Sequence, residues 1–230
     1  MFQPLKETLP ELIRGINKSK NYHWDLSPES QQNLCSKLLD EFGRDKDQVV
    51  VGKSPHPFSI TLGPNDYRIT TRIVEGEPLS SFLATAHEWG HSIYEQGLPS
   101  QSHQWFAWPL GQATSMGIHE SQSLFWENRI VKSKSFSKRF FKNFVSAGCT
   151  LNNFSELWKS INHLEAGLNR VEADELTYGL HILIRTELEI DLIEGGLPAA
   201  DIPTEWNKSC LLYTSPSPRD MRRSRMPSSA

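Results

Sequence analysis

The chain has 230 residues, 37% of them hydrophobic and 22% charged, with a formal net charge of −3. That length is enough for the core of one domain, and the composition excludes the apolar deficit and charge excess of a disordered chain. A near-neutral balance without basic clusters before the C-terminus argues against nucleic acid as the main partner, and no 18-residue apolar run or signal-like N-terminus marks a membrane span or export. Cys35, Cys149 and Cys210 are odd in number and widely spaced, which indicates neither a disulfide framework nor a thiolate metal site. They read as buried or incidental thiols of a soluble cytoplasmic protein.

In chain order, residues 10–19 form a short helical candidate with Leu12, Ile13 and Ile16. Ser27-Pro28-Glu29 opens a second helix with a cap, a proline at its first position and a favourable acid; Leu34, Leu38, Leu39 and Phe42 give it an apolar stripe, and Gly43 ends it. Val49–Gly52, Phe58–Leu62 and Tyr67–Val74 are rich in β-branched and aromatic residues, with Gly63-Pro64-Asn65-Asp66 as turn chemistry. A hairpin of the last two runs is expected. Leu79, Phe82, Leu83, Ala86, Gly90 and Ile93 then recur at helical spacing between Pro78 and a stop at Gly97, predicting a helix over 78–96.

An irregular aromatic loop is expected over 97–112, then a helix starting near Thr114 or Ser115 with Met116, Gly117, Glu120, Leu124 and Val131 on one face. Phe136, Phe140, Phe141, Phe144 and Val145 predict another helix, whose outer side carries Lys134, Lys138, Arg139 and Lys142 as a solvated charged face. Ser155 is expected to cap a short segment with Leu157, Trp158 and Ile161, and a long helix is predicted from Glu172 to Glu194, stopped by Gly195-Gly196. The last 18 residues hold five Ser, three Pro and four Arg against one Asp, without apolar periodicity. Leu211 to Asp220 looks like translated cloning or adapter sequence. We therefore expect residues 1–208 to be part of a single domain, truncated at both ends, and 209–230 to be a disordered, non-native tail.

The helix over 78–96 carries His87-Glu88-Trp89-Gly90-His91, an H-E-x-x-H pattern. Four residues are little more than one helical turn, so both histidines project from one side and can share a metal ion. Glu88 beside them is placed to take a proton from a metal-bound water. The alternative is two surface histidines on an ordinary helix. A hydrolytic zinc site needs a third protein ligand. Glu120, 29 residues beyond His91 on the next helix, and its neighbour His119 are both candidates, and spacing does not choose between them.

Five motifs in order carry a resemblance: His56-Pro57-Phe58, Asp66-Tyr67-Arg68-Ile69-Thr70, the H-E-x-x-H followed by Tyr94-Glu95-Gln96-Gly97, His119-Glu120-Ser121-Gln122, and Asn169-Arg170-Val171-Glu172-Ala173-Asp174-Glu175-Leu176-Thr177-Tyr178. The chain resembles the thermostable carboxypeptidase Taq family of zinc metallocarboxypeptidases. The departures are Asn169 in place of the usual Ile, a slightly longer loop over 97–113, and no downstream G-x-x-Q-D-x-H-W motif. Family members also extend further on the N-terminal side, so the chain is expected to be a central piece. The resemblance implies a mainly α, multi-helix zincin-type fold with a small β-hairpin next to the active-site helix. It also implies one Zn2+ (cobalt as a substitute) on His87, His91 and Glu120, with Glu88 as catalytic base.

The implied reaction releases C-terminal residues from peptides by attack of a zinc-bound water. Tyr178 is a candidate oxyanion donor, or a packed helix tyrosine. Arg68 and Arg170 are candidates for the substrate's free carboxylate, or structural ion pairs. His56 and Asp66 could orient ligands or substrate, or organise the hairpin. His181 reads as a core histidine. The expected partners are a peptide with a free C-terminus and, as the family resemblance suggests, a second copy in a homodimer. The alternatives are an endopeptidase or dipeptidase of the same fold, or an inactive helical fragment acting as a binding module.

Overall fold

The computed structural model describes Thr8 and residues 24–164 and 173–214. These fall into two units: 22–161, which holds the H-E-x-x-H helix, and a second one formed by the remaining segments. The helical candidate at 10–19 lies outside the described residues.

The first unit is mainly helical with a three-stranded sheet. Helix α1 (Pro28–Glu41) starts as expected, with the Ser27 hydroxyl accepting from the Ser30 amide. Strands β1 (Val49–Lys53), β2 (Ser59–Gly63) and β3 (Asp66–Thr71) follow. The expected hairpin is β2–β3, antiparallel and turned at Asn65, whose φ of 61° is one that asparagine tolerates. Pairing of β1 alongside β3 in parallel was not predictable from the local sequence; it makes the order β1-β3-β2. The inward side chains of β3, Tyr67 and Ile69, join Leu39, Val49 and Trp89 in one apolar cluster.

Helix α2 (Ser80–Gln96) begins two residues after Pro78, which sits in the preceding turn. The helix is buried on most sides. Phe82 and Ala86 face a second cluster with Leu34, Leu38, Phe140 and Phe144, while Trp89 faces the sheet cluster. Complete burial of a side chain such as Phe82 contributes about 1.5–3 kcal/mol. A buried polar chain runs behind it: the Gln31 amide donates to the Leu26 and Val74 carbonyls, the Ser81 hydroxyl donates to Gln31 Oε1, and the Thr85 and Thr71 hydroxyls bond each other and the Ser81 carbonyl. These bonds fix α2 against α1 and β3 with no polar atom of the chain left to water.

The loop after α2 contains two short 3-10 turns, Pro99–Gln101 and Pro109–Gly111. Helix α3 (Met116–Leu124) is capped by Ser115, whose hydroxyl accepts from the Ile118 amide, and it continues as a π-helix over Phe125–Val131. The expected single face from Met116 to Val131 is not formed: Val131 is buried and Met116 is exposed. The wider π turns change the phase of the helix, so an α-period cannot be carried across them. Helix α4 (Lys134–Ala147) buries Phe136, Phe140 and Phe144 and leaves its four basic residues exposed. Helix α5 (Phe154–Ile161) is capped by Asn153, not by Ser155; the Asn153 side chain accepts from the Ser155 and Glu156 amides. Ser155 already lies inside the helix, where its hydroxyl cannot reach those first amides.

In the second unit, α6 (Glu175–Ile193) starts at Asp174, whose carboxylate accepts from the Leu176 and Thr177 amides, and ends at Gly195, with a φ of 81°. It packs on α7 (Ile202–Thr214), where His181 is buried and stacked on Trp206. The last helix therefore runs to Thr214, past the 209 boundary expected for the tail; 215–230 lie outside the described residues. Cys35, Cys149 and Cys210 are buried. No described helix is long and apolar enough to cross a membrane.

Candidate metal centre

His87 and His91 project together from α2, ring centroids 4.9 Å apart and planes at 81°. Gly90, between them, decides how near the next helix can come. A β-carbon there would lie 2.5 Å from Ser123 Cα and 2.7 Å from the Gln122 carbonyl oxygen, so α3 rests directly on the α2 backbone. The helices run antiparallel: Glu95 meets His119, His91 meets Glu120, Gly90 meets Ser123, and His87 meets Glu127.

This approach delivers the third donor. Glu120 Oε2 lies 3.3 Å from His91 Nε2 and 3.7 Å from His87 Nε2, and one donor atom from each of the three residues lies within 4.8 Å of the others. The Ser123 hydroxyl lies 2.7 Å from the Glu120 carbonyl oxygen and 3.2 Å from its carboxylate. Behind His87, the Glu127 carboxylate takes the Nδ1 position at 2.9 Å, with Lys132 Nζ 3.5 Å from its other oxygen. With Nδ1 committed in this way, Nε2 is the nitrogen turned to the Glu120 side.

His119, the competing candidate, is turned elsewhere. Its Nε2 lies 2.7 Å from Glu95 Oε1, and its ring stacks on His91 at 4.5 Å with planes 22° apart.

The cluster is electronegative. Burial disfavours a charged His87, but the Glu127 hydrogen bond and the charges of Glu120 and Glu88 outweigh it and raise the imidazole pKa. Glu120 is held below the usual carboxylate range by His91 first, against burial. Burial also opposes ionisation of Glu127, and His87 with Lys132 reverses it. Glu88 is 7% exposed, and burial raises its pKa despite the opposing influence of His87, His91 and His56. Lys132 stands beside Glu127, and the Glu120 carboxylate meets the two histidine nitrogens instead of an ammonium or guanidinium among the described contacts. A divalent cation fits both the donors and that carboxylate's charge.

Thr70 of the D-x-R-x-T motif holds His56-Pro57-Phe58: the Thr70 amide donates to the Phe58 carbonyl at 2.8 Å, and the Phe58 amide donates to the Thr70 hydroxyl at 2.9 Å. His56 is exposed and close enough to influence Glu88 electrostatically. Arg68 turns two guanidinium nitrogens, Nε and Nη2, to Asp66, with Nη2 at 3.0 Å from its Oδ2. Tyr178 is half-buried on α6 in the second unit. Arg170 lies outside the described residues.

Sequence reasoning missed Glu127, because a lone acid in a helix reads as surface. It also read Gly90 only as an apolar-face position. A glycine in mid-helix was the available signal, since it costs helix stability unless a close contact needs it.

The fold and the donor set define a mainly helical protein with a His–His–carboxylate site on an H-E-x-x-H helix. The chain belongs to the family described as carboxypeptidase Taq (M32) metallopeptidase, which matches residues 1–221 and so reaches into the 209–230 segment. It is 38% identical to thermostable carboxypeptidase 1 of Thermus thermophilus over 230 residues, covering 96% of this chain and 44% of that protein. It is 35% identical to carboxypeptidase 1 of Bacillus subtilis over 232 residues, covering 95% and 45%. Among solved structures, Pyrococcus furiosus carboxypeptidase matches with a TM-score of 0.85 at 29% identity, covering 95% of this chain and 45% of that one. The chain thus spans less than half the length of these relatives.

Proposed function

We propose that this chain carries the zinc centre of a metallocarboxypeptidase that releases C-terminal residues from peptides with a free carboxylate. The observation that carries the reading is the meeting of His87, His91 and Glu120, with donor atoms within 4.8 Å of one another, on and beside the helix that holds buried Glu88. Two imidazoles and one carboxylate are a donor set suited to zinc, with cobalt as a substitute. Bound there, zinc would lower the pKa of a water and polarise the scissile carbonyl.

The protein's own groups do the rest. Glu88 accepts the proton of the attacking water and hands it to the leaving amine. Its burial limits competing bulk water around the proton transfer. Glu127 keeps His87 in one tautomer and orientation. On the motif matches, Tyr178 supports the oxyanion, Arg68 and Arg170 receive the substrate carboxylate, and His56 orients the substrate. Because Arg68 already grips Asp66 through two nitrogens, a substrate carboxylate meets it through the remaining nitrogen or by displacing Asp66. From the family resemblance we also propose that the full-length enzyme is a homodimer, and we place it in the cytoplasm.

The test compares a blocked dipeptide that has a free C-terminus with its C-terminal amide. Cleavage of the acid only, abolished by Glu88→Gln, is the expected result. Equal cleavage of the amide overturns the carboxypeptidase reading, and full activity of Glu88→Gln overturns the assigned base.

A further inference from the structure

The two histidines of the site are supported by different means. His87 has a carboxylate on its second nitrogen: Glu127 at 2.9 Å. His91 does not. Its Nδ1 is buried and has no hydrogen-bond partner among the described residues. With no bond at Nδ1, the ring is held by Glu120 Oε2, 3.3 Å from its Nε2, and by the rings packed against it.

Two rings pack on His91: His87 edge-on, with centroids 4.9 Å apart, and His119 flat against its face. The His91 and His119 imidazoles stack at 4.5 Å with planes 22° apart, close to face-to-face contact. His119 is itself fixed. Its Nε2 meets the Glu95 carboxylate at 2.7 Å, and the Tyr94 ring packs edge-on against it at 5.5 Å with planes at 81°. Glu95 and Tyr94 come from the last turn of α2, one turn beyond His91, so α2 supplies both the ring to be held and the clamp on its holder. His119 is next to Glu120 in α3. One helix turn therefore presents a carboxylate to the histidine nitrogens and a flat ring to the face of His91.

We propose that His119 is a positioning residue that holds His91 for metal binding by ring stacking, with Glu95 as its anchor, and that it is not a ligand. This deepens the proposed metal site and rests on it. Stacking fixes the plane of a ring but not its tautomer, so His91 is orientationally held and electronically less tuned than His87.

The experiment measures Zn2+ affinity of the full chain by competition with a chromophoric chelator, and the Co2+ absorption spectrum, for wild type, His119→Phe, His119→Ala and Glu95→Ala. Phenylalanine keeps the flat ring and loses every nitrogen. The expected result is affinity within about threefold of wild type for His119→Phe, and a loss on the order of tenfold for His119→Ala, with the wild-type Co2+ band pattern kept in His119→Phe. Glu95→Ala, which frees the holder without touching it, is expected to fall between them and decides the matter if His119→Ala does not fold. An unchanged affinity in His119→Ala and Glu95→Ala overturns the proposal. So does an altered Co2+ spectrum and equal loss in His119→Phe and His119→Ala, which marks the imidazole nitrogen as the needed group. A folded wild type that binds no Zn2+ overturns the metal site itself, and is distinguished by appearing before any variant is made.

Discussion

The backbones of Gly90 and Ser123 are in direct contact: a β-carbon on the glycine would stand 2.5 Å from Ser123 Cα. This contact sets the separation of α2 and α3, and with it the distance from both histidines to Glu120. Gly→Ala inside a helix usually stabilises by about 0.5–1 kcal/mol. At Gly90 the sign is expected to reverse, with a loss of about 1–3 kcal/mol from overpacking and weaker zinc binding. Gly117, where an added β-carbon meets only the Ser115 hydroxyl at 4.0 Å, is the control. Gly117→Ala is expected to be neutral or stabilising in urea denaturation, and a parallel response of the two variants contradicts the close-packing account.

Glu127 is the support of His87. Glu127→Ala is expected to weaken zinc binding about 10–100-fold, as for other carboxylates bonded to ligand histidines. Glu127→Gln keeps an oxygen that can accept from Nδ1–H and is expected to fall between Ala and wild type. The check is Zn2+ competition titration at constant pH. Equal affinities in all three proteins contradict the role.

Much of this centre was legible in the sequence because its signals are local. H-E-x-x-H on an apolar-periodic helix places two candidate ligands and a candidate base together, Ser27 and Ser115 mark helix starts, and the turn at Asn65 marks the hairpin. Glu120 and His119, adjacent in one helix, could not be separated by spacing; only the rotation of α3 against Gly90 sends one to the His87–His91 pair and the other to Glu95. Glu127 was hidden for a similar reason, since it lies in a π-helical stretch for which residue preferences give no signal. The parallel β1–β3 pairing and the Gln31–Ser81–Thr71–Thr85 chain join residues distant in sequence, where no periodicity speaks.

That polar chain makes its own prediction. Ser81→Ala removes the donor to buried Gln31 Oε1 and is expected to cost about 1–3 kcal/mol, the penalty of an unsatisfied buried acceptor. The double variant with Gln31→Leu is expected to cost less than the two single variants added together, because both ends of the bond are gone. Urea denaturation of the three variants measures this. Strict additivity contradicts the coupling.

Asp40 gives a pH dependence. Burial works against its ionisation, but Lys46 at 3.0 Å and Arg44 at 2.9 Å outweigh that and lower its pKa. A carboxylate depressed in the folded state stabilises above its unfolded pKa of about 3.9 and loses that contribution as pH falls through the folded value. Because Asp40 is 41% exposed, the contribution is expected to stay below about 1 kcal/mol. Asp40→Asn should therefore lower Tm slightly at pH 7, by a margin that shrinks as the pH falls below about 3.9. A difference that persists unchanged at pH 2 contradicts the ion-pair origin.

The central claim is that His87, His91 and Glu120 hold one metal ion. The most direct measurement is metal content of the purified chain after stripping and reloading with Zn2+, compared with Glu120→Ala, each with a circular dichroism check of folding. The expected result is about one zinc per folded wild-type chain, lost in the variant while the helical signal is kept. A folded wild type that retains no zinc, or a variant that retains it fully, contradicts the claim.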